Sequence, residues 1–208
     1  MPDFAFENAA SGLVCGIDEA GRGPLAGPVV AAAVIFDRAR VPRKLRRELD
    51  DSKKLTREAR EAFIGVIASC ARIGIGAASA REIDRHNILQ ATFIAMRRAL
   101  MRLNVAPDLA LIDGNCAPPA LPCAVKTIIG GDGLSLSIAA ASVVAKVTRD
   151  RLMRALALRY AGYGWETNVG YATELHRQAV LSLGLTPHHR RSFATCQMSL
   201  DFDEAAAE

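Results

Sequence analysis

The chain has 208 residues, half of them apolar and 23% charged, with a formal net charge of +4. That length suits a single domain with a substantial core, and the composition excludes disordered, fibrous and disulfide-scaffold classes. The acidic opening Met1-Pro2-Asp3-Phe4 lacks the basic and apolar runs of a secretory signal, and Arg72, Arg97, Lys126 and Lys146 interrupt every candidate membrane span. A cytoplasmic protein with no membrane association is expected. Five cysteines, an odd number without C-x-x-C spacing, fit neither a disulfide framework nor a zinc site. Between Lys146 and Arg191 stand eight Lys and Arg against three acids, which points to a polyanionic partner.

In chain order, Leu13–Ile17 reads as a short apolar strand, followed by the glycine-rich run 20–28. Val29–Phe36 reads as a buried strand of β-branched residues and alanines. A polar, Arg-rich connection leads to Asp51-Ser-Lys-Lys54. Thr56 is placed to cap a helix through about Ala71. Residues 72–79 look like another strand. Ile88, Leu89, Phe93, Met96, Leu100 and Leu103 carry helical spacing over about 83–103, which Pro107 ends. Strands follow at Leu109–Ile112 and Ala124–Ile129, then helices over Ser135–Tyr160 and Tyr171–Leu183. Clustered strands followed by alternating helices and strands predict an α/β protein with a mixed sheet covered by helices.

The predicted chemistry lies where buried strands end in acids. Asp18 and Glu19 follow the first strand, Asp113 follows a later one, and Asp132 follows the last. Carboxylates at core edges are costly without a cation, and several together form an all-oxygen site for Mg²⁺ or Mn²⁺. Two such ions can clamp the attacking and leaving oxygens of a phosphodiester displacement. Because strand neighbours face opposite sides, Asp18 and Glu19 share a site only if the strand ends or bulges between them. Gly21-x-Gly23-x-x-x-Gly27 could also be read as a dinucleotide-binding turn. That turn must open a helix, whereas Pro24, Pro28 and the apolar run after them favour a strand.

These residues resemble the ribonuclease HII family. The match runs through Gly16-Ile-Asp-Glu-Ala-Gly-Arg-Gly-Pro-Leu-Ala-Gly-Pro-Val-Val-Ala-Ala-Ala-Val34 and Asp51-Ser-Lys-Lys-Leu55 to Asp113-Gly114. It continues in Ile138–Lys146 with Arg149-Asp150, in Gly170-Tyr-Ala-Thr173 with His176, and in His189–Phe193. The resemblance implies a ribonuclease H-like fold with a five-stranded mixed sheet and a helical C-terminal part. The expected divisions are an N-terminal tail over 1–12, a catalytic domain over 13–193 and an acidic tail over 194–208.

The implied activity is endonucleolytic hydrolysis of the RNA strand of RNA–DNA hybrids, and cleavage on the 5′ side of ribonucleotides embedded in duplex DNA. Its mechanism would be a two-metal in-line attack of water leaving 5′-phosphate and 3′-hydroxyl ends. By this similarity Asp18, Glu19, Asp113 and Asp132 are the catalytic, metal-binding carboxylates. The backbone of Gly21-Arg22-Gly23 reads the ribose 2′-hydroxyl, Tyr171 stacks on the following sugar, and Lys53, Ser142 and Lys146 lie near phosphates. Two departures stand out: Gly130 and Val169 occupy positions where the family usually has lysine.

A DNA-branch nuclease or resolvase on the same fold is the alternative enzyme, and a non-catalytic nucleic-acid-binding module the alternative outside enzymes. The Gly-Arg-Gly loop and Tyr171 favour ribonucleotide recognition, and no acid is missing. A monomer is expected. At the end of the chain, Gln197-Met-Ser-Leu-Asp-Phe202 resembles the bacterial sliding-clamp-binding hexapeptide. Gln197 would supply an amide, and Met198, Leu200 and Phe202 apolar anchors.

Overall fold

The computed structural model describes residues 1–194 and 196. Its elements in order are α1 (Ala5–Asn8), β1 (Val14–Ala20), β2 (Val29–Phe36), α2 (Arg43–Glu48), α3 (Arg57–Cys70), β3 (Ala71–Ala78) and α4 (Ala80–Met101). There follow β4 (Leu109–Asp113), β5 (Ala124–Ile128), a 3-10 turn at Gly131–Gly133, α5 (Leu136–Ala157), α6 (Trp165–Asn168) and α7 (Glu174–Leu183). The sheet order is β3-β2-β1-β4-β5. β1, β2 and β3 form an antiparallel meander, and β4 and β5 add in parallel on the other side of β1.

The mixed five-stranded sheet is therefore as expected, and packing explains why its strands read as they do. All eight residues of β2 are buried, because it is central in the sheet and helices cover both faces. A strand in that position carries a continuous apolar run rather than an alternating one. On one face Cys15, Ile17, Ala31 and Ala33 pack under α4 residues such as Ala95, Met96 and Ala99. On the other, Ala32 and Val34 meet the alanine-rich start of α5 and Phe63 and Ile67 of α3. Gly16 shows how closely α5 approaches: a Cβ there would strike the backbone of Ser137 and Ile138.

Helix starts follow their caps. Thr56, Ser135 and Thr173 each accept an N–H three residues on, and Ser79 with Glu82 forms a full capping box. That box starts α4 at Ala80, earlier than the apolar spacing predicts. The spacing belongs to the second half of α4, beyond a break at Asn87 (φ 65°), whose side chain caps the resumed helix through Gln90 N–H. The final helix begins at Glu174 rather than Tyr171, because Thr173 is the residue that caps it.

The expected N-terminal tail is corrected in the structure. Residues 3–8 form α1 and an isolated bridge from Asp3 to Ser135, and Glu7 is buried. Short helices such as α1 and α2, the latter inside the Arg-rich connection, carry no local signal strong enough to stand out. Gln197, Met198, Leu200 and Phe202 lie outside the described residues. Among the described residues, no helix is long and apolar enough to cross a membrane.

Candidate active site

β1 and β4 run parallel, with Ile17 beside Ile112, so the residue after each emerges at the same end of the sheet. Those residues are Asp18 and Asp113. β5 also ends there, and its continuation delivers Asp132 in the 3-10 turn. One carboxylate oxygen from each of Asp18, Asp113 and Asp132 lies within 4.8 Å of the others. The Asp132 turn is tied to the strand by Gly131 N–H, which donates to Asp113 Oδ1 at 2.7 Å.

Glu19 departs from the expected arrangement. β1 neither ends nor bulges after Ile17 but continues to Ala20, with Asp18 opposite Ala32 and Glu19 opposite Ala31. The two acids therefore leave opposite sides of the strand. Asp18 turns toward α5, where Ser142 helps hold its pKa down against burial, and Asp18 Oδ1 accepts from Glu19 N–H at 2.7 Å. Glu19 lines the same cleft outside the three-aspartate group and meets Arg22 Nη1 at 3.3 Å.

Burial raises the Asp18 pKa well above the carboxylate range, and the charges of Glu19 and Asp113 add to it. Burial also raises Glu19, against the pull of Arg22, and raises Asp132 together with Asp113 and Asp51. Crowded, desolvated carboxylates of this kind are stabilised as anions by donated hydrogen bonds and by nearby positive charge. Lys53 supplies some, with Nζ 3.7 Å from Asp132 and 3.8 Å from Asp51. Burial works to lower the Lys53 pKa, but the four surrounding aspartates outweigh it and raise it. The donors are all oxygen, which fits a hard divalent cation rather than zinc or copper.

The cleft, of about 460 Å³, is also lined by Gly21, Arg22, Gly23, Lys53, Ser142, Lys146 and Tyr171. All seven residues expected to bind substrate thus converge on the acids. Lys146 already has a partner: its Nζ pairs with Asp150 at 2.9 Å and lies 5.7 Å from the centre of the Tyr171 ring. Tyr171 is 43% exposed, with its ring open to the cleft. Its carbonyl accepts from His176 Nδ1 at 2.9 Å, which fixes the tautomer of that ring. His176 Nε2 then accepts from Trp165 Nε1 and from His189 Nε2, while His189 Nδ1 accepts from Thr186 N–H.

Two buried arginines hold the glycine loop, and sequence reasoning assigned neither a role. Arg190 donates to the carbonyls of Gly27 (3.1 Å), Arg22 (2.8 Å) and Gly21. Arg149 donates to those of Pro28 (3.0 Å), Ala26 (3.0 Å) and Val169 (2.9 Å). Burial lowers Arg149 to about 10 and Arg190 to about 9. Gly21, at φ +97°, has no room for a Cβ against Arg149. The available signal was the presence of both arginines in the recognised motifs; the loop carbonyls they bind, residues 21–28, lie more than a hundred residues away in the chain.

The ribonuclease HII family model matches residues 15–196. A ribonuclease HII from Paramagnetospirillum magneticum is 60% identical over 93% of this chain and 96% of its own. The crystal structure of ribonuclease H2 from Pyrococcus horikoshii superposes with a TM-score of 0.76 at 26% identity, covering 92% of this chain and 99% of that one. The ribonuclease HII of Archaeoglobus fulgidus, solved as a complex with PCNA, superposes with a TM-score of 0.71 at 27% identity, covering 87% and 95%. Likeness over nearly the whole length, on a fold that gathers the acids of the shared motifs, leads to one conclusion: this chain belongs to the ribonuclease HII family, metal-dependent endonucleases that act on the RNA strand of RNA–DNA hybrids.

Proposed function

We propose that the chain cuts on the 5′ side of ribonucleotides embedded in duplex DNA, as well as within RNA–DNA hybrids, leaving 5′-phosphate and 3′-hydroxyl ends. The observation that carries this reading is the meeting of Asp18, Asp113 and Asp132 beneath a glycine loop and an exposed tyrosine. These three aspartates would hold Mg²⁺ or Mn²⁺, with Glu19 completing the set from the other side of β1. Bound divalent cations supply charge neutralisation at the scissile phosphate and a more acidic water.

The remaining work falls to the chain's own groups. The backbone of Gly21-Arg22-Gly23 can approach a ribose 2′-hydroxyl because no side chain intervenes at the glycines. Tyr171 presents a ring face to the sugar that follows the ribonucleotide. Lys53, exposed at the cleft mouth, attracts the phosphate backbone, and Ser142, bonded to Ser52 at 2.9 Å, presents a hydroxyl to the cleft from α5. Lys146, held by Asp150, adds positive charge beside Tyr171.

The test is an end-labelled DNA duplex carrying one ribonucleotide, incubated with Mg²⁺, Mn²⁺ or chelator. The expected product ends immediately 5′ of the ribonucleotide, and Asp18→Asn abolishes it while duplex binding persists. Tyr171→Ala should reduce cleavage of this junction more than cleavage of a uniform hybrid; equal losses would remove the junction role. We also propose that the terminal segment with Gln197, Met198, Leu200 and Phe202 tethers a monomeric, cytoplasmic enzyme to a bacterial sliding clamp. The complex of the A. fulgidus relative with PCNA supports that reading. Polarisation titration of residues 194–208 with clamp, against Gln197→Ala/Phe202→Ala, decides it, since equal binding by both peptides refutes the tether.

A further inference from the structure

Three carboxylates that share a few ångströms repel one another. Asp132 is the easiest of the three to displace, because its turn is built from Gly130, Gly131 and Gly133 and has little intrinsic stiffness. Gly131 N–H ties the turn to Asp113 and Lys53 offsets part of the repulsion; a further hold comes from the N-terminal segment.

Asp3 brackets Ser135, three residues beyond Asp132: its N–H donates to Leu134 O at 3.2 Å, and its carbonyl accepts from Leu136 N–H at 2.8 Å. Glu7 then grips the start of α5. One of its carboxylate oxygens accepts from Ser135 Oγ (2.7 Å), Ser137 Oγ (2.6 Å) and Ser137 N–H (3.0 Å). All three residues are almost fully buried, and the acid sits where the helix dipole favours negative charge. Ser135 in turn closes the 3-10 turn by donating its N–H to Gly131 O at 2.8 Å. The same end of α5 presses on Gly16 of β1, two residues before Asp18.

We propose that Glu7 is a positioning residue for the metal site, acting through Ser135 and Ser137 to hold the Asp132 turn against Asp113 and Asp18. The N-terminal segment is a strap across the base of the active site. This rests on the reading of Asp132 as a metal ligand, so the experiment is built to separate the two.

Mn²⁺ binding to the full chain is measured by calorimetry without nucleic acid, alongside amide hydrogen exchange over residues 130–137. Glu7→Ala should weaken Mn²⁺ binding by about tenfold, the lower end of what loss of a supporting partner costs a metal site, and should speed exchange in the turn. Glu7→Gln keeps an acceptor for the same three donors and should restore binding to within about twofold. If Glu7→Ala does not fold, Ser137→Ala decides the matter in the same assay, because it removes one grip and leaves the cap at Ser135. A shift of about twofold or more is then expected, and no shift overturns the proposal. In an Asp132→Asn background, Glu7→Ala should add nothing, and an equal further loss would place its effect elsewhere and refute the route through Asp132. If Asp132→Asn weakens Mn²⁺ binding but Glu7→Ala does not, the positioning role fails and the ligand reading stands. If Asp132→Asn binds Mn²⁺ as the parent does, both fail.

Discussion

Replacing Arg190 by methionine tests whether the glycine loop is held from below. Arg190 is fully buried and donates to three backbone carbonyls of the loop. Hydrogen bonds to a charged group contribute roughly 1.5–3 kcal/mol each, so the three together account for about 4.5–9 kcal/mol gross. Part of that is offset by the cost of burying a guanidinium, visible in its pKa falling to about 9. Methionine removes the charge but leaves the carbonyls of Gly21, Arg22 and Gly27 without their donor. The expected net loss is about 3–5 kcal/mol, as for breaking other buried charged networks. Urea unfolding followed by tryptophan emission, with Trp165 as reporter, gives the value. Arg190→Lys should fall between parent and methionine variant, since one ammonium cannot reproduce the planar fork. Cleavage of a single-ribonucleotide duplex should fall by about a hundredfold, the penalty for displacing a positioning group by roughly 1 Å. A loss below about 1 kcal/mol with unchanged cleavage would show that Arg190 does not hold the loop.

The histidine pair makes stability depend on pH. Burial and the neighbouring His176 lower His189 to about 4, and burial lowers His176, so the folded state binds fewer protons than the unfolded one. Their contribution is complete above pH ~6.5 and is lost as pH falls toward 4; for His189 the gap corresponds to roughly 3 kcal/mol. His189→Gln should flatten the stability–pH curve in that window, and an unchanged slope would refute the assignment. Gly16→Ala drives a methyl into the backbone of α5 and should cost about 3 kcal/mol in chemical denaturation, since backbone cannot step aside as a flexible side chain can. Asp113→Asn should abolish cleavage yet, in metal-free buffer, raise stability by on the order of 1 kcal/mol. It relieves repulsion while an amide oxygen still accepts from Gly131 N–H, and a lowered melting temperature would contradict that.

Much of this was readable from short-range patterns. The continuous apolar run 29–36, the cap at Thr56 and the acids beside strands led to the mixed sheet and to the sheet end where three of those acids meet. The long first motif carried the family. What escaped were features whose partners lie far along the chain. Nothing local distinguishes Glu7 from a solvated acid until Ser135 and Ser137 are seen around it, nor Arg149 and Arg190 from two more basic residues in a basic stretch. The alternation of Asp18 and Glu19 was foreseeable as geometry. The strand, however, runs through both acids, because pairing with Ala31 and Ala32 of β2 outweighs the poor strand propensity of carboxylates.

The parallel pairing of β1 with β4 has a consequence in time. Paired residues such as Val14 and Leu109 stand 95 positions apart (109 − 14), with β2, β3 and helices α2 to α4 in between. Contacts between distant parts of a chain form slowly, because the intervening loop must close first. During synthesis, β1, β2, β3 and α4 can emerge and pack while Asp18 still faces solvent without its companions. The three-aspartate group can assemble only when β4, β5 and the turn before α5 (Leu136–Ala157) have emerged and docked, so earlier nascent chains hold the first motif without its companion acids. The acid cluster of this chain is thereby among the last features of the sheet to be completed.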